Sequence, residues 1–426
     1  MPYDHNHHRS RRRSDSHYAR SSSDSSGSDR GRSSEESNRF NAKEDKYIDS
    51  VTDTDADSDT DSGSSDTSSS SGSSSDGSRR SRKTASSSSS GKSTTGGGST
   101  SSAGSSSSSS SASSSSTASA TIPDASNAGP YKLVQDWKGD NFFDGWEFWD
   151  QADPTHGSVN YLSQDAAKAA NLISTSSDSI IMKVDNTTKL DSGKFRDSVR
   201  IHSKAGAKIG SIIIADIINM PFGCATWPAW WTNGQNWPAG GEIDIIEGVN
   251  NQPENSITLH VSDSDCKQDP NVDITGKPIP ENDDCNANVK SNQGCSYREV
   301  ADSSYGEPFN KAGGGVLVTS FTKESIEVWF WSRPNVPENI QKESPDKSTW
   351  GKPSARWPTT SCDIEKYFGD QTMIFDTTLC GDWAGAESVW SRDCGDKAPT
   401  CQEYLMDPSH FDDAYWEVGY VRVYEI

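Results

Sequence analysis

Two antiparallel β-sheets packed face to face are the architecture the sequence predicts for the unit running from Gly129 to Ile426. Three observations predict it. Short runs of β-branched and aromatic residues recur between Gly, Pro, Asn and Asp turn signals, long amphipathic helices are missing, and about 300 residues pass without a repeat of the ~40-residue kind that propeller blades require. The runs are Ser179–Val184, Ser198–His202, Ser211–Ile217, Ile257–Val261, Val316–Phe321, Ile326–Trp331 and Trp416–Tyr424.

The first 128 residues read differently. They are dominated by Ser, Gly, Asp and Arg, and all 14 Trp and all 8 Cys of the chain come after Gly129. Such a composition buries too little apolar surface to offset the entropy of ordering it, so residues 1–128 are expected to be a disordered region ending in a Ser-rich linker. The linker runs from Ser86 to Ala120, and Thr121 to Pro130 marks the boundary with the folded domain, residues 129–426.

Charge excludes one class of partner. Of the net −22, nearly all falls after Gly129, where 45 Asp and Glu face 25 Lys and Arg. Nucleic-acid binding needs a basic footprint, and the short clusters Arg11–Arg13 and Arg79–Lys83 do not supply one. No apolar run approaches the length of a membrane span.

Eight cysteines without repeated Cys-x-x-Cys pairs point to disulfides and an oxidising compartment. Local spacing favours Cys362–Cys380 and Cys394–Cys401, leaving Cys224, Cys266, Cys285 and Cys295 open. The triplet Asn186-Thr187-Thr188 has the form of a glycosylation acceptor. An extracellular or cell-wall location is expected from the cysteines and from the chemistry below, although Met1 to Ser16 shows no apolar signal-peptide stretch.

The chemistry lies in Gly241-Glu242-Ile243-Asp244-Ile245-Ile246-Glu247-Gly248, preceded by Trp227, Trp230, Trp231 and Trp237. On a regular strand Glu242 and Asp244 share a face while Glu247 has the opposite parity. A β-bulge at Ile245–Ile246 brings all three acids to one face. Alternating acid and Ile also describes a half-exposed strand with a solvated outer face, but three converging acids flanked by Trp favour catalysis. Calcium sites draw oxygen ligands from loops, and this run is too apolar for one.

This stretch resembles the signature of glycoside hydrolase family 16, in its fungal laminarinase-like branch. Asp153-Pro154-Thr155-His156-Gly157, Ser198-Val199-Arg200-Ile201, Thr258-Leu259-His260, Cys380-Gly381-Asp382-Trp383-Ala384-Gly385 and Ala414-Tyr415-Trp416 resemble blocks of that branch in the same order. The resemblance covers roughly Pro130 to Ile426. It implies a concanavalin-like β-jelly-roll that hydrolyses internal β-1,3 or mixed β-1,3/1,4 glucan bonds with retention.

By place in the motif, Glu242 is then the nucleophile, Glu247 the acid/base and Asp244 the assisting carboxylate. Trp231 and Trp237 resemble the family's sugar platforms, His260 its leaving-group histidine and Arg200 its donor-side arginine; Trp227 and Trp230 stay undecided. The variable stretch between Cys266 and Cys295 is expected to edge the cleft. No cofactor is required, a structural calcium ion is left open, and the expected partner is β-glucan, met by a monomer. A wall-glucan transglycosylase and a non-catalytic glucan-binding lectin are the competing readings on the same fold.

Overall fold

The computed structural model describes residues 131–426; the expected disordered region 1–128 and its basic clusters lie outside the described residues. In chain order the strands are β1 (Lys132–Lys138), β2 (Trp146–Phe148), β3 (Val159–Tyr161), β4 (Ile173–Thr175), β5 (Ile180–Lys183), β6 (Arg196–Ser198), β7 (Arg200–Ser203), β8 (Ser211–Asn219), β9 (Thr226–Asn233), β10 (Glu242–Glu247), β11 (Ser256–His260), β12 (Lys277–Asp283), β13 (Cys295–Arg298), β14 (Gly315–Phe321), β15 (Ser325–Ser332), β16 (Ala355–Pro358), β17 (Thr372–Leu379) and β18 (Tyr415–Glu425). The longest α-helix among the described residues, Glu387–Asp393, has seven residues.

Two eight-stranded antiparallel sheets result. One runs β16-β15-β14-β8-β18-β5-β4, with β1 paired to the far end of β18; the other runs β12-β13-β11-β10-β9-β17-β7-β2. A separate parallel pair joins β3 to β6. All seven runs expected to be strands are strands, within a residue or two at the ends.

The core forms where the inner faces meet. Ile213, Ala215, Leu317, Val328, Val421 and Val423 of the first sheet pack against Ile201, Trp230, Ile243, Ile257, Leu259 and Phe375 of the second. Trp230 stacks on Phe375 with centroids 4.2 Å apart, and Phe375 meets Trp416 of the opposite sheet edge-on at 5.2 Å. The Trp416 indole N–H also donates to the Asp376 carbonyl at 2.9 Å, tying β18 to β17. Each large side chain taken from water here contributes roughly 1.5–3 kcal/mol, and the packed layer makes a rigid base for the outer face of the second sheet.

The disulfides depart from the sequence reading. They join Cys224 to Cys394, Cys266 to Cys362, Cys285 to Cys295 and Cys380 to Cys401, not Cys362 to Cys380 or Cys394 to Cys401. The eight residues of β17 lie between Cys362 and Cys380, and at ~3.3 Å per residue they span about 26 Å, far beyond the ~7 Å Cα separation a disulfide tolerates. At the other end of β17, Cys224, Cys380, Cys394 and Cys401 share one small apolar cluster with Leu405 and Phe411. Proximity in sequence does not discriminate among four cysteines gathered in one place.

Non-reducing peptide mapping checks this pairing. A peptide containing Cys224 is expected to be linked to one containing Cys394, and Cys380 to Cys401; recovery of Cys394 joined to Cys401 contradicts the arrangement.

Candidate active site

The register of β9 and β10 contains the irregularity that the parity argument requires. Asp244 pairs with Trp231 and Ile246 with Trp230, so Ile245 is the extra residue of a β-bulge. Ile243, Ile245 and Ile246 are all buried in the core, while Glu242, Asp244 and Glu247 line a cleft on the other face. Burying both bulge isoleucines outweighs a forfeited ladder hydrogen bond worth about 1 kcal/mol. That bond is not simply lost. The Asn255 side chain donates to the Ile245 carbonyl at 2.8 Å and accepts from the Glu247 N–H at 3.0 Å, bracing the bulge from both ends.

Neighbouring strands complete the cleft by the same parity. Trp227, Ala229, Trp231 and Asn233 of β9, Thr258 and His260 of β11, Asp376 and Thr378 of β17, and Arg200 and His202 of β7 all line it. Trp237 enters from the loop before β10 and is 44% exposed, the exposed edge a sugar platform needs. Its indole N–H donates to Glu242, and the Trp227 indole donates to Glu247 Oε1 at 3.0 Å. Trp227 therefore belongs to the cleft, with Trp383 packed edge-on to it at 5.4 Å, and Trp230 belongs to the core.

The electrostatics follow from crowding acids where water is scarce. Burial pushes the Glu242 and Glu247 carboxyls up to about 8, with the adjacent Asp244 adding to the rise and His260 and the indole hydrogen bonds opposing it. Asp244 is driven well above the usual carboxylate range by burial and then by Asp376. His260 lies opposite Glu242 across β10 and β11. Its Nε2 is 3.3 Å from Asp244 Oδ2, and its Nδ1 is 3.0 Å from Asn292 Oδ1.

Arg200 sits on this cleft but is itself buried. Its guanidinium lies between the rings of Trp149 and Trp231, 5.2 Å from each centroid, and 3.5 Å from Asp376 Oδ2. Arg200 Nε donates to His202 Nε2 at 3.0 Å, and burial with the Arg200 charge holds His202 down to about 3, so that ring is a neutral acceptor. Burial raises Asp376 to about 6 despite Arg200 beside it. Asp376 also accepts from the Trp231 indole at 3.2 Å, which fixes the plane of that ring.

The seven residues given a catalytic or sugar-binding role from the sequence thus line one cleft: Glu242, Asp244, Glu247, Trp231, Trp237, His260 and Arg200. The stretch between Cys266 and Cys295 does edge it, through Asn292 and Gln293. Sequence reasoning passed over Asp376, Trp149, Asn255 and Asn292. Asp376 had a signal of its own, an acid directly after the apolar run Met373-Ile374-Phe375 of β17. Among the described residues no group of three or more His, Cys, Asp or Glu side chains is arranged to hold a metal ion.

Comparison with known proteins agrees with this geometry. A family model described as "XgeA-like, catalytic GH16 domain" matches residues 146–424. The chain is 42% identical over 301 residues to an endo-1,3(4)-beta-glucanase of Arthroderma benhamiae, covering 69% of this chain and 65% of that protein. It is 41% identical over 299 residues to a "Probable glycosidase" of Schizosaccharomyces pombe, covering 70% of each. Against an Aspergillus fumigatus relative the match spans only 47% of the relative's length. Among solved structures, GH16 Laminarinase 16A from Phanerochaete chrysosporium, bound to 6-O-glucosyl-laminaritriose in donor and acceptor sites, superposes with a TM-score of 0.66 at 39% identity, covering 69% of this chain and 99% of that one. An elongating GH family 16 beta-1,3-glucosyltransferase gives 0.65 at 38%, with the same coverage.

The raised carboxyls carry a cost in stability that can be measured. Glu242 titrates at about 8 in the fold against 4.5 for a free side chain. The stability associated with this group is therefore fully present below pH 4.5, where both states are protonated, and is lost as pH rises to about 8, because the unfolded chain ionises while the folded one holds its proton. Glu242→Gln is expected to raise the melting temperature by on the order of 3–5 °C at pH 8 and to leave it unchanged at pH 4. A variant that melts with the wild type at pH 8 as well as at pH 4 contradicts the burial of this group.

Proposed function

Because the chain belongs to glycoside hydrolase family 16, we propose that it is an endo-acting β-glucan hydrolase, cleaving internal β-1,3 or mixed β-1,3/1,4 glucosidic bonds with retention of configuration. The observation that carries the reading is the bulged β10, which sets three carboxyls on one wall of a Trp-lined cleft. The catalytic domain is residues 129–426, acting as a monomer.

Roles follow the order of the motif. Glu242 attacks the anomeric carbon as Glu247 gives its proton to the leaving oxygen; Glu247 then takes a proton from water, which releases the sugar from Glu242. The environment supports one ionised and one protonated carboxyl. Three acids crowded out of water resist ionising together, so the cluster gives up a first proton well before the last. Burial holds Asp244 well above the usual carboxylate range, and it stands beside Glu242 on the same face. Activity is then bell-shaped in pH, its alkaline limb marking loss of the acid's proton.

Trp231 and Trp237 offer flat apolar faces to glucose rings, and His260 and Arg200 border the reacting centre on either side of β10. The chemistry needs no cofactor, since nucleophile and acid are both side chains. We place the enzyme's work outside the cell or in the wall; four disulfides support an oxidising environment. No helix of the described residues is long and apolar enough to cross a membrane.

A second reading has one observation in its favour, the likeness to an elongating glucosyltransferase. The same glycosyl-enzyme is open to capture by a sugar hydroxyl. Incubation with laminari-oligosaccharides separates the two, because transfer yields chains longer than the starting material and hydrolysis yields only shorter ones.

The full chain is expected to cut laminarin to oligosaccharides, and Glu242→Gln to lower turnover by about 10³-fold or more while the fold melts cooperatively. Near-full activity of that variant contradicts the nucleophile assignment.

A further inference from the structure

The wall of the cleft beside His260 is made by an unusual stretch of backbone. Lys290, Ser291 and Asn292 have φ of 44°, 69° and 62°, and Gly294 follows at 67°. Three successive non-glycine residues in the left-handed region are held only where the surroundings over-determine them, and such outliers concentrate at functional sites. Two features hold this one. The Cys285–Cys295 disulfide closes the loop behind it. Gly294 is pressed so closely on β11 that an added Cβ would lie 2.7 Å from the His260 ring and from the Leu259 carbonyl.

The product of this arrangement is one contact, Asn292 Oδ1 against His260 Nδ1 at 3.0 Å. On the other side of the ring, Nε2 lies 3.3 Å from Asp244 Oδ2, an oxygen that is buried with no hydrogen-bond donor in place. A buried carboxyl oxygen without a donor is costly as an anion. It is at ease as an O–H facing a lone pair.

We propose that Asn292 is a positioning residue that sets the ring plane of His260 and the nitrogen that carries its proton in the neutral form. Nδ1–H donates to the Asn292 amide oxygen, so Nε2 presents its lone pair to Asp244. Asp244 Oδ2 then faces a lone pair rather than an N–H, which adds to the preference for a protonated carboxyl that burial already creates. The cluster can then ionise at Glu242 while Glu247 keeps its proton. This inference rests on the β-glucanase reading for its effect on turnover, but its structural content is a protonation pattern that exists without substrate.

The test uses the full chain with ¹⁵N-labelled histidine, His260 being assigned by its loss in His260→Gln. In the wild type, the neutral His260 ring is expected to show a protonated Nδ1 and an unprotonated Nε2. Asn292→Gly removes the acceptor and also relieves the left-handed backbone, so a merely structural role predicts no loss. The proposal predicts instead that the tautomer shifts toward Nε2–H and kcat on laminarin falls about tenfold with KM within about twofold. Asn292→Asp tolerates the same backbone and keeps an acceptor oxygen, and should retain the Nδ1–H form and most of kcat.

An Nε2–H tautomer in the wild type, or both nitrogens protonated throughout the active pH range, overturns the proposal. So does an Asn292→Gly variant with unchanged kcat, or one altered only in KM, which would mark Asn292 as a direct sugar contact. A wild-type chain inactive on every β-glucan sinks the functional reading instead, and the nitrogen signals still decide the tautomer.

Discussion

One extra residue in β10 decides what this protein can do. Ile245 has no partner on β9, and the slip turns two successive isoleucines into the core and Glu247 to the side of Glu242 and Asp244. Without it the strand would present two acids to the cleft and drive the third into a layer of Trp, Phe and Ile. The apolar core pulls the isoleucines inward, and Asn255 reconnects the backbone groups that the bulge sets apart. Packing and polar satisfaction thus agree on the same irregularity, which is how a local defect becomes a fixed feature.

Around that bulge the cleft separates two electrostatic regimes. At its centre, three carboxyls meet indole donors and one histidine, with too little water and too little positive charge to ionise together. Beside them, Arg200 of β7 reaches both Asp376 of β17, at 3.5 Å, and Asp153 of the loop after β2, at 3.9 Å, and its guanidinium is clamped between Trp149 and Trp231. The second group holds the aromatic walls in place. In the proposed mechanism the first stores the proton that bond cleavage uses, at the expense of folding stability near neutral pH.

The fold and the three acids were legible because both follow from side-chain period. Strands read as β-branched runs between turns, and the parity conflict of Glu242, Asp244 and Glu247 could be resolved only by a bulge. The same rule separates Trp227 from Trp230, since Trp227 shares parity with Trp231 while Trp230 faces Phe375 in the core. What stayed hidden depends on contacts distant in sequence. Cys224 meets Cys394 across 170 residues, Asp376 reaches Trp231 from another strand, and Asn292 reaches His260 only because a strained loop carries it there. Local pattern holds no record of such pairings.

The account stands on Glu242 and Glu247 serving one sugar from a common face, and trapping the covalent intermediate tests this most directly. Reaction of the full chain with a 2-deoxy-2-fluoro laminaribiosyl fluoride, followed by digestion and peptide mass spectrometry, is predicted to leave the sugar on Glu242 alone, with labelling retained but release of the sugar slowed in Glu247→Gln. A label on Glu247 or on Asp244, or product released with inverted configuration and no label at all, would contradict it.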